Sequence, residues 1–169
     1  MPPITLFGLQ ALLTARCRTV LFDEQIEEID FENKVAVVQP GAVWHAVDVE
    51  LNKQGWELGV PGPGGMFSCS IGGSVAYNAV PHALAEYGMT GEHVIGLEVV
   101  LPTGEIVKIG SCAVSPYWFS RAPLPDLAGL FLGWAETTGI ITKLSIKLYP
   151  NYPINDVGVF VCEDAALMP

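Results

Sequence analysis

The sequence has few basic residues and few charges overall. Only 8 of its 169 residues are Lys or Arg, against 18 Asp or Glu, which gives a formal net charge of −10. Nucleic-acid binding depends on clustered Lys and Arg that contact phosphates, so this balance disfavours a nucleic-acid partner. Half of the residues are hydrophobic and 15% are charged. This apolar load predicts a surface that another molecule or protein segment covers.

Membrane spans, export signals and metal motifs are also missing. No apolar run approaches the ~20 residues that a membrane-spanning helix needs. No signal peptide is predicted at the N-terminus, so a cytoplasmic location is expected. The four cysteines are far apart, at Cys17, Cys69, Cys112 and Cys162. Since the histidines also lack metal-ligand spacing, we expect free thiols and no metal site.

Apolar runs bounded by turn residues predict the strands. They are expected at 34–39, 94–101, 106–109, 140–148 and 157–161, with the tail of an earlier strand at 20–22. A compact turn at Pro102-Thr103-Gly104 joins two of them as a hairpin. The polar and acidic stretch 25–33 is not predicted as a strand.

Helix-compatible patterns separate the strands. Apolar spacing after Pro40-Gly41 predicts an amphipathic helix that stops at Gly55. A short helix is expected from about Ser74 to Asn78, and another is expected to begin with Asp126 as its N-cap. Residues 80–93 are predicted to be irregular. Strands, helices and a hairpin together predict an α+β fold.

The glycine-rich stretch 59–79 is the most distinctive part of the sequence. It contains six glycines and two prolines in twenty-one residues. It is either a long surface loop, where Gly and Pro are commonest, or a cradle whose small side chains let a ligand reach backbone N–H groups. Residues 71–75 run directly into a helix-compatible segment, so the glycines open an element, which favours the cradle.

Arg121 is a candidate substrate-binding residue of a different kind. It stands close to Trp118 in an aromatic loop. Its guanidinium could hold a carboxylate substrate, or it could stack on the aromatic ring. Both interpretations stay open from the sequence.

Three blocks of sequence follow one another in a recognisable order. They are 35–41, then 70–105 with Asn78 and Tyr87-Gly88 inside it, and then 126–150. Together they resemble the FAD-binding domain of the vanillyl-alcohol-oxidase/PCMH flavoprotein superfamily. The closest similarity is to FAD-linked oxidases and dehydrogenases of 2-hydroxy acids, such as D-lactate dehydrogenase and glycolate oxidase subunits.

The resemblance implies a fold of two α+β lobes with FAD between them. This chain would be the second lobe, an antiparallel or mixed sheet flanked by helices. Its implied segments are an atypical N-terminal stretch at 1–19, a partial FAD-binding domain at 20–150 and the start of a truncated cap domain at 151–169.

The resemblance also implies which residues contact the cofactor. The residues implied to lie at FAD are Pro61, Ser68, Cys69, Ser70, Ile71, Gly72, Gly73 and Asn78, with Ile140 and Ile141 near its adenosine part. The implied reaction is oxidation of a 2-hydroxy acid or related alcohol by hydride transfer to the flavin. No catalytic residue can be assigned.

Three departures from the family pattern accompany this resemblance. No glycine-rich pyrophosphate loop stands in the first nineteen residues. Val80-Pro81-His82 follows Asn78 where a glycine is usual. The motif G-x-E-G-T-x-G appears at 133–139 as GWAETTG, without its middle glycine and with the acid shifted.

These departures predict a chain that is incomplete as an enzyme. It would reach a small-molecule substrate only within the full enzyme, with a second chain or a second copy supplying the missing lobe. The alternative is a non-catalytic module that has lost the cofactor and acts through protein–protein contacts.

Overall fold

The computed structural model describes residues 26–59, 67–122, 125–152, 154, 156 and 158. The strands are β1 (Ile26–Asp30), β2 (Val35–Val38), β3 (Trp56–Leu58), β4 (Val94–Val100), β5 (Ile106–Ile109) and β6 (Ile140–Pro150). The helices are α1 (Trp44–Asn52), α2 (Ile71–Ala76) and α3 (Leu84–Tyr87), and single 3-10 turns occupy Thr90–His93, Ser111–Ala113 and Ala128–Leu130.

The eleven-residue strand β6 organises the sheet. The strand order is β1-β2-β6-β4-β5, and β3 pairs with the last three residues of β6. Every pairing between these strands is antiparallel. Because β6 is longer than its neighbours, it can pair with three strands at once. The predicted α+β fold is therefore confirmed.

The strongest strand predictions are confirmed, and two strands, β1 and the three-residue β3, were missed. Strands β2, β4, β5 and β6 lie where the apolar runs predicted them. Gly104 closes the predicted hairpin with φ +86°, and its N–H donates to the Leu101 carbonyl at 2.8 Å. Strand β1 was missed because a bulge between Ile26 and Glu28 interrupts its alternation of apolar and polar residues.

Helix positions differ more from the predictions. Helix α1 follows Pro40-Gly41 as expected, but α2 begins at Ile71 because Ser70 caps it, its Oγ accepting from the Gly73 N–H at 3.3 Å. Asp126 accepts from the Ala128 N–H at 2.9 Å, yet only one 3-10 turn follows. The stretch 80–93, predicted as irregular, contains α3 and a 3-10 turn. The predicted strands at 20–22 and 157–161 and the segment 1–19 fall outside the described residues, apart from residue 158.

The main core joins α1 and α2 to the sheet. Its largest fully buried side chains are Trp44, Leu51, Ile71, Leu97, Ile141, Leu144, Ile146 and Leu148. Each such side chain contributes about 1.5–3 kcal/mol by leaving water. A smaller cluster of Val37, Cys112 and Trp118 is separate from this core. The sheet and the two helices thus form the two layers of the core, and α2 is the part of the glycine-rich stretch that packs into it.

The turn before β6 contains three residues with positive φ. Gly133, Ala135 and Glu136 have φ values of +77°, +49° and +59°. Left-handed backbone is disfavoured for residues with a Cβ. Glu136 occupies the position of the middle glycine that the motif at 133–139 lacks, so its backbone is strained where glycine would be relaxed.

We expect Glu136→Gly to raise the free energy of unfolding by about 0.5–1 kcal/mol, because glycine adopts positive φ without the Cβ penalty. Chemical denaturation measures the change. Glu136→Ala is the matched control: it removes the same carboxylate but keeps the Cβ, and should change stability by less than about 0.5 kcal/mol. Equal gains in both variants would assign the effect to charge and not to the backbone.

Gly139 joins this turn to β6 in a space too small for a side chain. A Cβ there would lie 2.6 Å from Val99 Cγ1 and 3.1 Å from both Phe131 Cε1 and the Val100 carbonyl oxygen. We expect Gly139→Ala to lower the free energy of unfolding by about 1–3 kcal/mol through overpacking. Gly129→Ala is the control, since nothing lies within 4 Å of its added Cβ. A thermal melt in which both variants unfold alike would contradict this packing argument.

Candidate functional site

The described part of the glycine-rich stretch is bonded to the turn that follows β2. The Ile71 N–H donates to the Ala42 carbonyl at 2.7 Å, and the Trp44 N–H donates to the Cys69 carbonyl at 3.3 Å. The Gly72 N–H donates to the Pro40 carbonyl at 2.8 Å. These bonds give residues 69–72 a fixed path, so this part of the stretch is not an unattached surface loop.

A buried, hydrogen-bonded pair of side chains, Trp44 and Ser74, holds α2 in place. The Trp44 indole N–H donates to the Ser74 Oγ at 2.9 Å, and that hydroxyl donates to the Ser70 carbonyl at 3.0 Å. Trp44 is almost completely buried. Buried polar groups that are paired in this way hold one geometry. The start of α2 is therefore anchored by both backbone and side-chain hydrogen bonds.

Two backbone N–H groups in this segment have no internal acceptor. Within the described part of the chain, no hydrogen bond is made by the N–H of Cys69 or of Ser70. Ser68 and Gly73 are exposed on either side of them, and Cys69 and Ser70 are half-buried. A ligand oxygen could accept hydrogen bonds from these donors. This is the part of the segment best suited to an anionic or carbonyl ligand.

The space available for a side chain differs between the two glycines of α2. A Cβ at Gly72 would lie 2.3 Å from Pro40 Cβ and 2.9 Å from the Pro40 backbone. At Gly73 the closest atom would be the Ser70 Oγ at 2.9 Å, the end of a small side chain. Packing thus requires glycine at 72, whereas at the exposed Gly73 an added methyl group would meet only the Ser70 hydroxyl.

Asn78 has a structural role at the other end of α2. Its φ is +48°, and its Oδ1 accepts from the Gly91 N–H at 2.8 Å. The neighbouring Ala79 carbonyl accepts from the Thr90 hydroxyl at 2.6 Å. The Asn78 side chain therefore connects the end of α2 to the 3-10 turn Thr90–His93. Its predicted contact with FAD stays a prediction.

The remaining predicted cofactor residues lie apart from this segment. Ile140 and Ile141 begin β6 and pair with Val100 and Val99. Ile141 is 2% exposed and belongs to the main core, so its side chain is committed to packing, whereas Ile140 is half-buried. Pro61 lies outside the described residues. The structure thus brings together Ser68, Cys69, Ser70, Ile71, Gly72 and Gly73, and leaves the contacts of all ten residues with FAD as predictions.

Arg121 holds backbone carbonyls, and its stacking on Trp118 is not observed. Its Nε donates to the Val94 carbonyl at 2.7 Å, its Nη2 donates to the Gly91 carbonyl, and its Nη1 pairs with Asp126 at 3.0 Å. The cations over the Trp118 ring are two lysine ammonium groups. Arg121 therefore clamps the 3-10 turn Thr90–His93 to the start of β4, which argues against a carboxylate-binding role.

A cluster of titratable side chains escaped the sequence reasoning. The Tyr87 hydroxyl donates to Glu57 at 3.1 Å, and the Tyr149 hydroxyl lies 3.3 Å from Nδ1 of the buried His93. Burial lowers the pKa of His93 and raises the pKa values of Glu57 and Tyr87. Tyr87 is named from the sequence only within the second block of the family resemblance, because nothing local signals that the sheet brings these residues together.

The expectations about free thiols, metal sites and membrane-spanning helices can be compared with the structure only for the described residues. Cys69 and Cys112 are free thiols, and burial raises the pKa of Cys112; Cys17 and Cys162 lie outside the described residues. Among the described residues there is no group of side chains suited to a metal ion. None of the described helices has the length and apolarity to cross a membrane. The cytoplasmic location stays a prediction.

Comparison with known proteins identifies what this fold is similar to. A family model described as an FAD binding domain matches residues 18–110. D-lactate dehydrogenase of Anaerostipes hadrus is 40% identical over 124 residues, covering 72% of this chain and 24% of that protein. Glycolate oxidase subunit GlcD of Bacillus subtilis is 37% identical over 130 residues, covering 75% of this chain and 26% of that protein.

A solved structure agrees with the fold. Alkyldihydroxyacetonephosphate synthase superposes with a TM-score of 0.60 at 24% identity, covering 74% of this chain and 23% of that chain. This likeness concerns the fold alone. The chain spans about a quarter of the length of the relatives it matches. On the family match and on these relatives, the chain belongs to the family of FAD-binding domains found in FAD-linked oxidoreductases.

Proposed function

We propose that residues 68–73 form part of the FAD site of a flavin-dependent oxidoreductase. The observation that carries this proposal is the pair of backbone N–H groups at Cys69 and Ser70, which have no acceptor among the described residues. They stand beside the exposed Ser68 and Gly73, where small side chains allow a cofactor to come close. Pyrophosphate and flavin carbonyl oxygens are suitable acceptors for such donors. These residues therefore fit the cofactor of the family.

The proposed substrate is a 2-hydroxy acid or a related alcohol. The names of the relatives, a D-lactate dehydrogenase and a glycolate oxidase subunit, support this substrate class. FAD supplies the acceptor for the hydride that leaves the substrate carbon. This chain's own part is to bind and orient the cofactor through backbone N–H groups and to exclude bulky groups from its surface.

We also propose that the chain needs a partner to complete the site. Residues 20–150 would form the second lobe of the FAD-binding domain, and 151–169 would begin a cap domain. A second chain carrying the first lobe, or a second copy, would close the site from the other side. The catalytic groups would then come from regions beyond the quarter of the relatives that this chain matches.

The alternative function is a cofactor-free module that acts through protein contacts. Exposed apolar side chains beside the end of α2 favour it: Tyr77 is 74% exposed and Trp134 is 56% exposed. The Ala135 N–H donates to the Ala76 carbonyl at 2.9 Å, which brings the loop of Trp134 next to α2. Trp134 belongs to the motif that departs from the family pattern. A surface of this kind suits a protein partner.

Titration of the purified chain with FAD distinguishes these functions. We expect binding in the micromolar range, about −8 kcal/mol, seen as quenching of flavin fluorescence and as a raised melting temperature. Gly73→Ala should weaken binding about tenfold, or about 1.4 kcal/mol, because the added methyl group occupies the open surface. Gly129→Ala, away from the segment, is the matched control and should bind like the wild type.

Together, the outcomes select one function. Equal affinity in the Gly73→Ala variant and the control would show that FAD does not lie on this segment. No binding at ~100 µM FAD, weaker than about −5.5 kcal/mol, would mean that the chain alone is an incomplete half-site or a cofactor-free module. A purified complex with a partner that keeps bound yellow flavin after free FAD is removed would then favour the completed oxidoreductase site, and a complex that keeps none would favour the cofactor-free module.

A further inference from the structure

An aromatic cluster surrounds the buried His93 and lies next to the described ends of the glycine-rich stretch. His93 is 1% exposed, and its ring is 5.7 Å from that of Tyr149 and 6.4 Å from that of Tyr87, measured between centroids. The Tyr87 and Tyr149 rings are 4.7 Å apart. The three residues come from the 3-10 turn Thr90–His93, from α3 and from β6. His93 is therefore enclosed by elements that are distant in sequence.

This cluster touches the glycine-rich stretch at both of its ends. At the first end the Tyr149 ring packs on Gly59, where an added Cβ would lie 2.3 Å from Tyr149 Cε2. At the second end, the turn that carries His93 bonds to Asn78 and Ala79 through Gly91 and Thr90, at 2.8 and 2.6 Å. A movement of His93 would thus disturb both attachments together.

The His93 ring has one nitrogen without a partner. Nδ1 lies 3.3 Å from the Tyr149 hydroxyl, but Nε2 is buried and has no hydrogen-bond partner among the described residues. A neutral imidazole tolerates this, whereas an imidazolium would be a buried charge. The backbone of Tyr87 favours that charge, but burial opposes it more strongly. Burial accordingly lowers the pKa of His93.

The charged groups around His93 do not offset the free-energy cost of placing a positive charge on its buried ring. The Lys147 ammonium, on β6, lies 4.9 Å from the centroid of the Tyr149 ring. Its charge opposes a second positive charge on His93. On its own turn, Glu92 favours the charge but accepts from the Met89 N–H at 3.1 Å. The carboxylates on the other packed elements are already bonded to hydroxyl groups, Glu57 of β3 to Tyr87 and Glu86 of α3 to Tyr152.

We propose that His93 is a positioning residue that makes the candidate flavin site sensitive to pH. When neutral, it holds the turn Thr90–His93 and Tyr149 against the two ends of the stretch 59–79. When protonated, it moves toward water, and the contacts at Gly59 and at Asn78 and Ala79 are lost. The link to FAD rests on the proposed function, whereas the conformational change does not.

Hydrogen–deuterium exchange of the full chain between pH 7.5 and 5.5 tests the conformational change. After correction for intrinsic exchange, wild-type peptides covering 67–79 should lose protection as the pH falls, by up to about tenfold per pH unit for one proton. Peptides from β4 serve as the internal reference. His93→Gln, and His93→Phe as a second variant that keeps an aromatic ring, should show no such pH dependence. His82→Gln, which removes an exposed histidine, should behave like the wild type.

Two results would overturn the proposal. One is wild-type protection of 67–79 that does not change with pH, which can be read even if both His93 variants fail to fold. The other is the same pH dependence in a folded His93 variant as in the wild type.

FAD titration over the same pH range separates this proposal from the proposed function. We expect the wild-type Kd to rise by up to about tenfold per pH unit below the transition, and the Kd of the His93 variants to stay nearly constant. If exchange of 67–79 depends on pH in a chain that does not bind FAD, the proposed role of His93 is kept, and the chain alone has no functional flavin site. If the Kd for FAD depends on pH in the same way in the wild type and in the His93 variants, the proposed role of His93 is rejected and the flavin site is kept.

Discussion

The position of the candidate site depends on the contact between the Pro40 turn and the start of α2. Three backbone hydrogen bonds join residues 40–44 to residues 69–72, and Gly72 packs directly on Pro40. A side chain at 72 would require the turn or the helix to move. This contact fixes where the Cys69 and Ser70 N–H groups lie, and it does so through backbone atoms. The site can therefore keep its geometry while the neighbouring side chains change.

The sheet positions both segments that contact α2. Strand β6 pairs with β2, which leads into the Pro40 turn, and with β4, which follows the 3-10 turn Thr90–His93. The same strand thus determines the positions of both segments that hold α2, one at each of its ends. Arg121 adds to this arrangement by binding the carbonyls of Gly91 and Val94. A small helix of six residues is held by long-range structure and not by its own propensity.

Much of the sheet could be predicted from the sequence because its strands are β-branched runs with clear turns. Strand β1 escaped prediction since its bulge breaks the alternation, and the early start of α2 escaped because the capping by Ser70 outweighs the low helix propensity of Gly72 and Gly73. The segment 68–73 could be named from its small residues and from the family resemblance. The structural roles of Gly72 and Asn78 could not, since they depend on Pro40 and Gly91, which are distant in sequence.

The fold explains in physical terms what the departure from the family pattern at 133–139 does to the backbone and to the surface. Glu136 has a left-handed backbone at the position of the absent glycine, a conformation that its residue type disfavours. Trp134 in the same turn is exposed, and its indole N–H donates to the Gly129 carbonyl at 3.2 Å. The turn therefore combines a left-handed backbone at Glu136 with an exposed Trp134 side chain. The Ala135 N–H donates to the Ala76 carbonyl, so the same turn also helps to hold the end of α2.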